Sequence, residues 1–113
     1  MQRMDALPEI VTDHLDEVRA LCEKYSVRKL TIFGSAVKGT FDPEKSDLDF
    51  VVEFLPDTKR SGFDDPYFCL IEALQEVFGR EVDLVERQAI RNPYFVKVLA
   101  LTERALYESA RAA

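Results

Sequence analysis

The segment from Thr31 to Glu53 constrains the fold most, because two apolar runs flank a glycine-serine break and a pair of aspartates. The run that ends at Phe33 contains β-branched and aromatic residues, which favour a strand. Gly34 and Ser35 then interrupt the run. A glycine at such a break lets the backbone come close to another group, since it has no Cβ to block the approach. The pattern therefore predicts a strand that ends in a tight turn beside a ligand.

The turn has the properties of a phosphate-binding site. Gly34 leaves room for an anion, and the Ser35 hydroxyl can donate a hydrogen bond to a phosphate oxygen. Residues 35 to 38 are predicted to begin a short helix whose N–H groups face the ligand. Lys38 is a further candidate for contact with a triphosphate, although many loop lysines are only solvated. Gly34, Ser35 and Lys38 are therefore the predicted nucleotide-binding residues.

A second strand is predicted to begin with two aspartates one residue apart. The period of two sends Asp47 and Asp49 to one face and the apolar residues between and after them to the other. Two carboxylates held this close repel each other unless a cation lies between them, and hard oxygen ligands suit Mg²⁺ or Mn²⁺. A polar strand end that faces water is the simpler interpretation of such a pair. The upstream Gly34-Ser35 turn favours the metal site.

A third carboxylate lies in another short strand pattern. Residues 81 to 86 alternate, so that Asp83 points away from the face that carries Val82 and Leu84. An exposed edge strand explains a lone aspartate equally well. Next to an aspartate pair, however, a third carboxylate can accept the proton of a nucleophile.

These features together resemble the signature of the polymerase-β-type nucleotidyltransferases. Gly34-Ser35, an eleven-residue spacer and Asp47-Leu48-Asp49 match it, and residues 79 to 85 are similar to the strand that supplies the family's third carboxylate. The closest resemblance is to the minimal members, the MNT antitoxins of HEPN/MNT toxin–antitoxin pairs. It extends over nearly the whole chain. The spacer is about one residue longer than the commonest form, a difference that a loop absorbs at little cost.

The resemblance implies a metal-dependent nucleotidyltransferase with ATP as substrate. Asp47, Asp49 and Asp83 would be catalytic and would bind Mg²⁺ or Mn²⁺. Because the chain ends soon after the catalytic core, the acceptor is expected to arrive on a partner. The implied partner is a HEPN ribonuclease toxin, which would be neutralised when AMP is attached to one of its tyrosines. The alternatives are a non-catalytic module that binds the toxin or senses a nucleotide, and an adenylyltransferase that acts on a small molecule.

The composition indicates a cytoplasmic domain that spans residues 1–113. Its net charge of −6 opposes binding to the phosphate backbone of nucleic acid, and no apolar run approaches membrane length. The N-terminus lacks the apolar region of a signal peptide, so Cys22 and Cys69 are expected to be free thiols in the core.

The predicted fold class is α+β, a small mixed sheet with packed helices in the order α-β-α-β-α-β-α. Periodic apolar residues predict a first helix over residues 7 to 25, and Asp65-Pro66 begin a helix that ends at Gly79. Asn92-Pro93 begin a final helix to about Ala110. Apolar residues off its packing stripe, Tyr94 and Leu101 among them, indicate either a docking surface or ordinary scatter.

Overall fold

The structure is a computed structural model that describes residues 7–38, 42, 47–60 and 62–110, without the side chains of Ser35, Lys38 and Phe63. Helices and strands alternate along these residues. Their order is α1 (Glu9–Thr12), α2 (Leu15–Lys24), β1 (Val27–Phe33), α3 (Ser35–Lys38), β2 (Leu48–Phe54), α4 (Pro66–Phe78), β3 (Val82–Glu86), α5 (Pro93–Thr102) and β4 (Arg104–Glu108), with 3-10 turns at Gly62–Asp64 and Arg87–Ala89.

The four strands form one sheet in the order β3-β2-β1-β4. Strands β2 and β3 are parallel, whereas β1 is antiparallel to both β2 and β4. The sheet is therefore mixed, and the predicted α+β class with packed helices is confirmed.

The main core lies between one face of the sheet and the helices α2 and α4. Leu48, Phe50 and Val52 of the central strand β2 point to this face and are fully buried, as the period of two predicted. Leu70 and Leu74 of α4 meet them from the helical layer. None of the described helices is long and apolar enough to cross a membrane.

Helix α4 begins and ends at the predicted residues. The Asp65 side chain accepts a hydrogen bond from the Tyr67 N–H at 2.9 Å, and Pro66 occupies the first helical position. Gly79 ends the helix in the left-handed conformation with φ 63°. These caps fix where the chain leaves the helical layer to enter β3.

The prediction of one continuous first helix was wrong. The chain turns at Asp13 and His14, which separate α1 from α2. The His14 ring contacts the Ile10 carbonyl oxygen at 2.8 Å through Nδ1, so the side chain occupies the acceptor that its own N–H would use in a continuous helix. The ring also lies edge-on against Phe78. The His14 side chain therefore contacts both α1 and α4.

The predicted final helix is also too long, because α5 ends at Thr102 and the chain continues as β4. Strand β4 pairs with β1. It provides hydrogen-bond partners for backbone groups of β1 that would stay unpaired if residues 104–108 formed a helix. Leu106 is buried, but as part of a strand. Its spacing from the preceding apolar residues fits both a helical stripe and a strand, which explains the error.

Side chains from the helices contact both outer strands of the sheet. On β3, the Tyr67 hydroxyl donates to the Leu84 carbonyl at 2.6 Å, and the Gln75 side chain accepts from the Val82 N–H at 3.4 Å. On β4, Arg19 of α2 donates to the Leu106 carbonyl at 3.1 Å. Backbone groups that point away from the sheet thus find partners at both edges.

Both cysteines are free, as predicted. Cys22 is fully buried, and burial raises the pKa of its thiol to about 12. Cys69 is only half-buried, so the expectation that both lie in the core holds for Cys22 alone.

Candidate active site

The turn after β1 brings the backbone against a carboxylate. Gly34 has φ 77°, in the region that favours glycine, and its carbonyl accepts a hydrogen bond from the Val37 N–H at 3.0 Å. A Cβ built on Gly34 would overlap Oδ2 of Asp49. The predicted close approach at this turn is therefore real, and the group that approaches is the side chain of Asp49.

Strand pairing places the aspartates together. Asp49 is paired with Asp83 across the parallel β2–β3 register and with Phe33 across the antiparallel β1–β2 register. Paired residues on adjacent strands point to the same face and lie about 5 Å apart. Asp47 precedes β2 by one residue and is exposed. Asp49 and Asp83 are thus neighbours on the sheet face that faces away from α2 and α4, and Asp47 lies just before β2.

The electrostatics of Asp49 reflect this arrangement. Its partial burial, followed by the nearby charges of Asp83 and then Asp47, raises the pKa of the Asp49 carboxyl above its ordinary value. Each neighbouring carboxylate disfavours ionisation of Asp49. A bound cation would reverse this effect, because it favours the charged form of all three groups.

The donor set fits a small hard cation that is shared with phosphate. Asp47 and Asp49 offer carboxylate oxygens, which Mg²⁺ and Mn²⁺ prefer. Among the described residues, no group of three acidic, histidine or cysteine side chains could hold a metal ion by itself. Mg²⁺ usually binds through one or two carboxylates together with substrate phosphates and water. Asp47 and Asp49 could supply the carboxylates of such a site.

Helix α5 covers the other part of this sheet face. Thr31 and Val51 of the sheet and Leu99 of α5 itself are each almost fully buried. One step toward the aspartates, Phe33 and Phe95 are only half-buried, and their rings meet edge-on at 5.8 Å. This face of the sheet is thus shielded from solvent near α5 and partly accessible to solvent beside Asp49.

A polar network that the sequence did not reveal connects this cover to the sheet. Glu103, just after α5, accepts hydrogen bonds from the Thr31 hydroxyl at 2.6 Å and from Arg87 at 2.5 Å. Arg87 also pairs with Glu53 of β2 at 3.6 Å. Thr31 and Glu103 are 72 positions apart, so no local spacing could have indicated the contact. The network fixes the segment after β3 and the end of α5 against the central strands.

Two predicted nucleotide-binding side chains, those of Ser35 and Lys38, lie outside the described part of the structure. Their backbones form α3, the short helix that was predicted to follow the turn. The structure therefore brings together Gly34, Asp47, Asp49 and Asp83.

Comparison with known proteins identifies relatives of this arrangement. The family model described as nucleotidyltransferase domain matches residues 18–105. The Methanocaldococcus jannaschii protein named "Putative protein adenylyltransferase MJ1379" is 35% identical over 97 residues, which cover 86% of this chain and 91% of the relative. Protein adenylyltransferase MntA of Thermococcus cleftensis is 31% identical over 94 residues, which cover 81% of this chain and 85% of the relative.

Solved structures share the fold. A crystal structure of a toxin–antitoxin with AMP-PNP has a TM-score of 0.62 at 17% identity, covering 86% of this chain and 75% of the other. The tri-AMPylated Shewanella oneidensis HEPN toxin in complex with MNT antitoxin contains a chain with a TM-score of 0.58 at 14% identity, covering 87% of this chain and 72% of that one. The predicted minimal nucleotidyltransferase fold is confirmed.

Proposed function

Because this chain belongs to the nucleotidyltransferase domain family, we propose that it is an antitoxin that transfers AMP from ATP to a tyrosine of a cognate HEPN ribonuclease toxin. The modification neutralises the toxin. One observation carries the proposal: Asp49 lies against the Gly34 turn and is paired in register with Asp83. The names of the relatives, which describe protein adenylyltransferases, support AMP as the transferred group and a protein as the acceptor.

The transfer forms one bond and breaks another at the α-phosphorus of ATP. The phenol oxygen of the toxin tyrosine bonds to this phosphorus, and the bond to the oxygen that bridges to the β-phosphate breaks. Pyrophosphate leaves with the electron pair of the broken bond. The phenol proton passes to the carboxylate of Asp83, because a phenol with a pKa near 10 needs a nearby base at neutral pH.

The other site residues hold the nucleotide. The Gly34 turn, the Ser35 hydroxyl and Lys38 would bind the outer phosphates, and Asp47 and Asp49 would hold Mg²⁺ or Mn²⁺. The cation, when bound, supplies positive charge where negative charge develops during transfer. Asp83 stands next to Asp49 in the register, so base and metal ligands lie on the same face.

The surface suits docking of a basic protein. The net charge of −6 attracts an RNA-binding toxin, whose own surface must be basic to hold RNA. On α5, Tyr94 and Leu101 are 74% and 79% exposed and offer apolar surface to a partner. Docking would bring the acceptor tyrosine next to Asp83 and lower the entropic cost of transfer. The free cysteines Cys22 and Cys69 are consistent with a reducing cytoplasm, in which the antitoxin and its toxin would act.

Intact-mass spectrometry of the toxin tests the proposal directly. After incubation with ATP and Mg²⁺, the toxin is expected to gain one or more AMP increments on tyrosine. The increments should be absent with Asp83→Ala, because the phenol then has no base. Asp57→Ala, which removes an exposed carboxylate beyond the far end of β2, is the control and should transfer normally. A toxin that is inhibited but unmodified would contradict transfer and favour a module that acts by binding alone.

Replacing Ser35 is expected to weaken nucleotide binding. Ser35→Ala removes a hydroxyl proposed to donate to a phosphate oxygen, and a hydrogen bond to a charged group contributes about 1–3 kcal/mol. Calorimetric titration with a non-hydrolysable ATP analogue measures the loss. Thr12→Ala, which removes an exposed hydroxyl on α1, should leave the affinity unchanged. Unchanged affinity in Ser35→Ala would place the triphosphate away from this turn.

A further inference from the structure

We infer that Phe33 and Phe95 form the binding surface for the base of the bound nucleotide. This inference rests on the proposed nucleotidyltransferase function and adds the part of the site that contacts the adenine ring. The aspartates and the Gly34 turn account for the phosphates. They leave the base without a partner, and a flat aromatic base is held most simply by aromatic side chains.

The position of Phe33 follows from the strand register. Phe33 is paired with Asp49, so its ring lies on the same face of the sheet as that carboxylate and about one strand spacing away. It also directly precedes Gly34, the residue of the phosphate turn. An aromatic ring is therefore adjacent to both polar parts of the site.

Phe95 completes the surface from above the sheet. It lies in the first turn of α5, and its ring meets that of Phe33 at a centroid distance of 5.8 Å and an interplanar angle of 68°. Asn92 fixes this turn, because its side chain accepts hydrogen bonds from the N–H groups of Tyr94 and Phe95 at 2.8 and 3.3 Å. The ring of Phe95 is thus carried by a capped helix end.

The burial gradient separates this pair from the ordinary core. Thr31, Val51 and Leu99 lie one step further from the aspartates and are at most 1% exposed. Phe33 and Phe95 are half-buried. If the rings served only to pack α5, they would gain most from the same burial as their neighbours. Their uncovered parts border the open side of the face, where Asp49 lies.

Binding measurements on two ligands test this inference without the toxin. Phe95→Leu keeps an apolar side chain against Phe33 but removes the aromatic ring. We expect it to bind Mg²⁺-ATP about 10-fold more weakly than the wild type, since stacking on one aromatic side chain contributes a factor of this order. Its affinity for Mg²⁺-tripolyphosphate, which has no base, should be unchanged.

Two further variants complete the test. Phe95→Tyr keeps the ring and should bind ATP like the wild type. Phe68→Leu makes the same change at an exposed position on α4, on the other side of the sheet, and should also bind ATP like the wild type. ATP affinity in Phe95→Leu within about twofold of the wild type would overturn the inference. An equal loss for ATP and tripolyphosphate would also overturn it, because the phosphates alone would then be affected.

Failure of the proposed transfer reaction would be visible separately. In that case the wild-type protein would bind ATP but leave the toxin unmodified, and the ratio of the two affinities would still decide the role of Phe95. A wild-type protein that binds neither ligand would contradict both proposals.

Discussion

Asp49→Asn is expected to abolish AMP transfer and at the same time to raise the Tm of the metal-free protein. Transfer should fall by more than about 100-fold, because the substitution removes a carboxylate proposed to hold the catalytic cation. The fold should gain stability, because Asp49 is partly buried and lies beside two other carboxylates. An uncharged side chain of the same shape avoids both costs. Transfer assays and thermal melts in the presence of a chelator measure the two effects.

The gain in stability should depend on pH. The pKa of Asp49 is raised in the folded protein, so between its unfolded and folded values the unfolded chain ionises first and is favoured. The contribution of this carboxyl to stability is therefore fully present at acidic pH and is lost as pH rises through the raised pKa. The difference in Tm between Asp49→Asn and the wild type should be small at low pH and larger at neutral pH.

Added Mg²⁺ distinguishes a metal site from a structural aspartate. Mg²⁺ should raise the Tm of the wild type and have little effect on Asp49→Asn. Asp57→Asn serves as the control, since this aspartate is exposed in the turn after β2. A loss of several kcal/mol of stability in Asp49→Asn would mean that the carboxylate supports the fold. Full transfer activity would remove its role in metal binding.

Gly34→Ala is expected to damage both the fold and nucleotide binding. The new Cβ would overlap the Asp49 carboxylate, and φ 77° is unfavourable for alanine by about 1–2 kcal/mol. Because Asp49 must move to relieve the overlap, the metal ligand would also leave its position. Urea unfolding and calorimetric titration with an ATP analogue measure the two losses.

Gly79→Ala is the matched control for this prediction. Gly79 has a similar φ of 63°, but an added Cβ would meet nothing within 4 Å. Gly79→Ala should therefore lose only the stability that a positive φ costs an alanine, and it should still bind the nucleotide. Combining Gly34→Ala with Asp49→Ala removes the overlap, so the additional cost at Gly34 should fall toward that at Gly79. Equal costs for the two single glycine variants would contradict the close approach of Asp49 to the turn.

The candidate site was largely predictable because its signals are local. Gly34 and the Asp47–Asp49 pair follow from residue type and a period of two, and Asp83 from a short alternating strand. Their convergence could not be derived from spacing alone. It depends on the parallel register that pairs Asp49 with Asp83, and the family resemblance supplied that expectation.

The errors in the fold arose where a local pattern supports two structures. Leu106 continues a helical stripe in the sequence, yet the chain forms β4 because the edge of β1 offers backbone partners. At His14, a side chain competes with the backbone for the Ile10 carbonyl, which apolar periodicity does not register. In both places a contact that is not encoded in the spacing decided the outcome.

The helix side chains on the outer strands limit how this domain can associate. An added strand would need the outward-facing Leu84 carbonyl and Val82 N–H of β3, but Tyr67 and Gln75 already bind them. Arg19 occupies the Leu106 carbonyl of β4 in the same way. Addition of a strand to the outer edge of β3 is therefore disfavoured. A protein that binds this end of the sheet is therefore expected to approach over a helix or across the open sheet face, on which Asp49 lies.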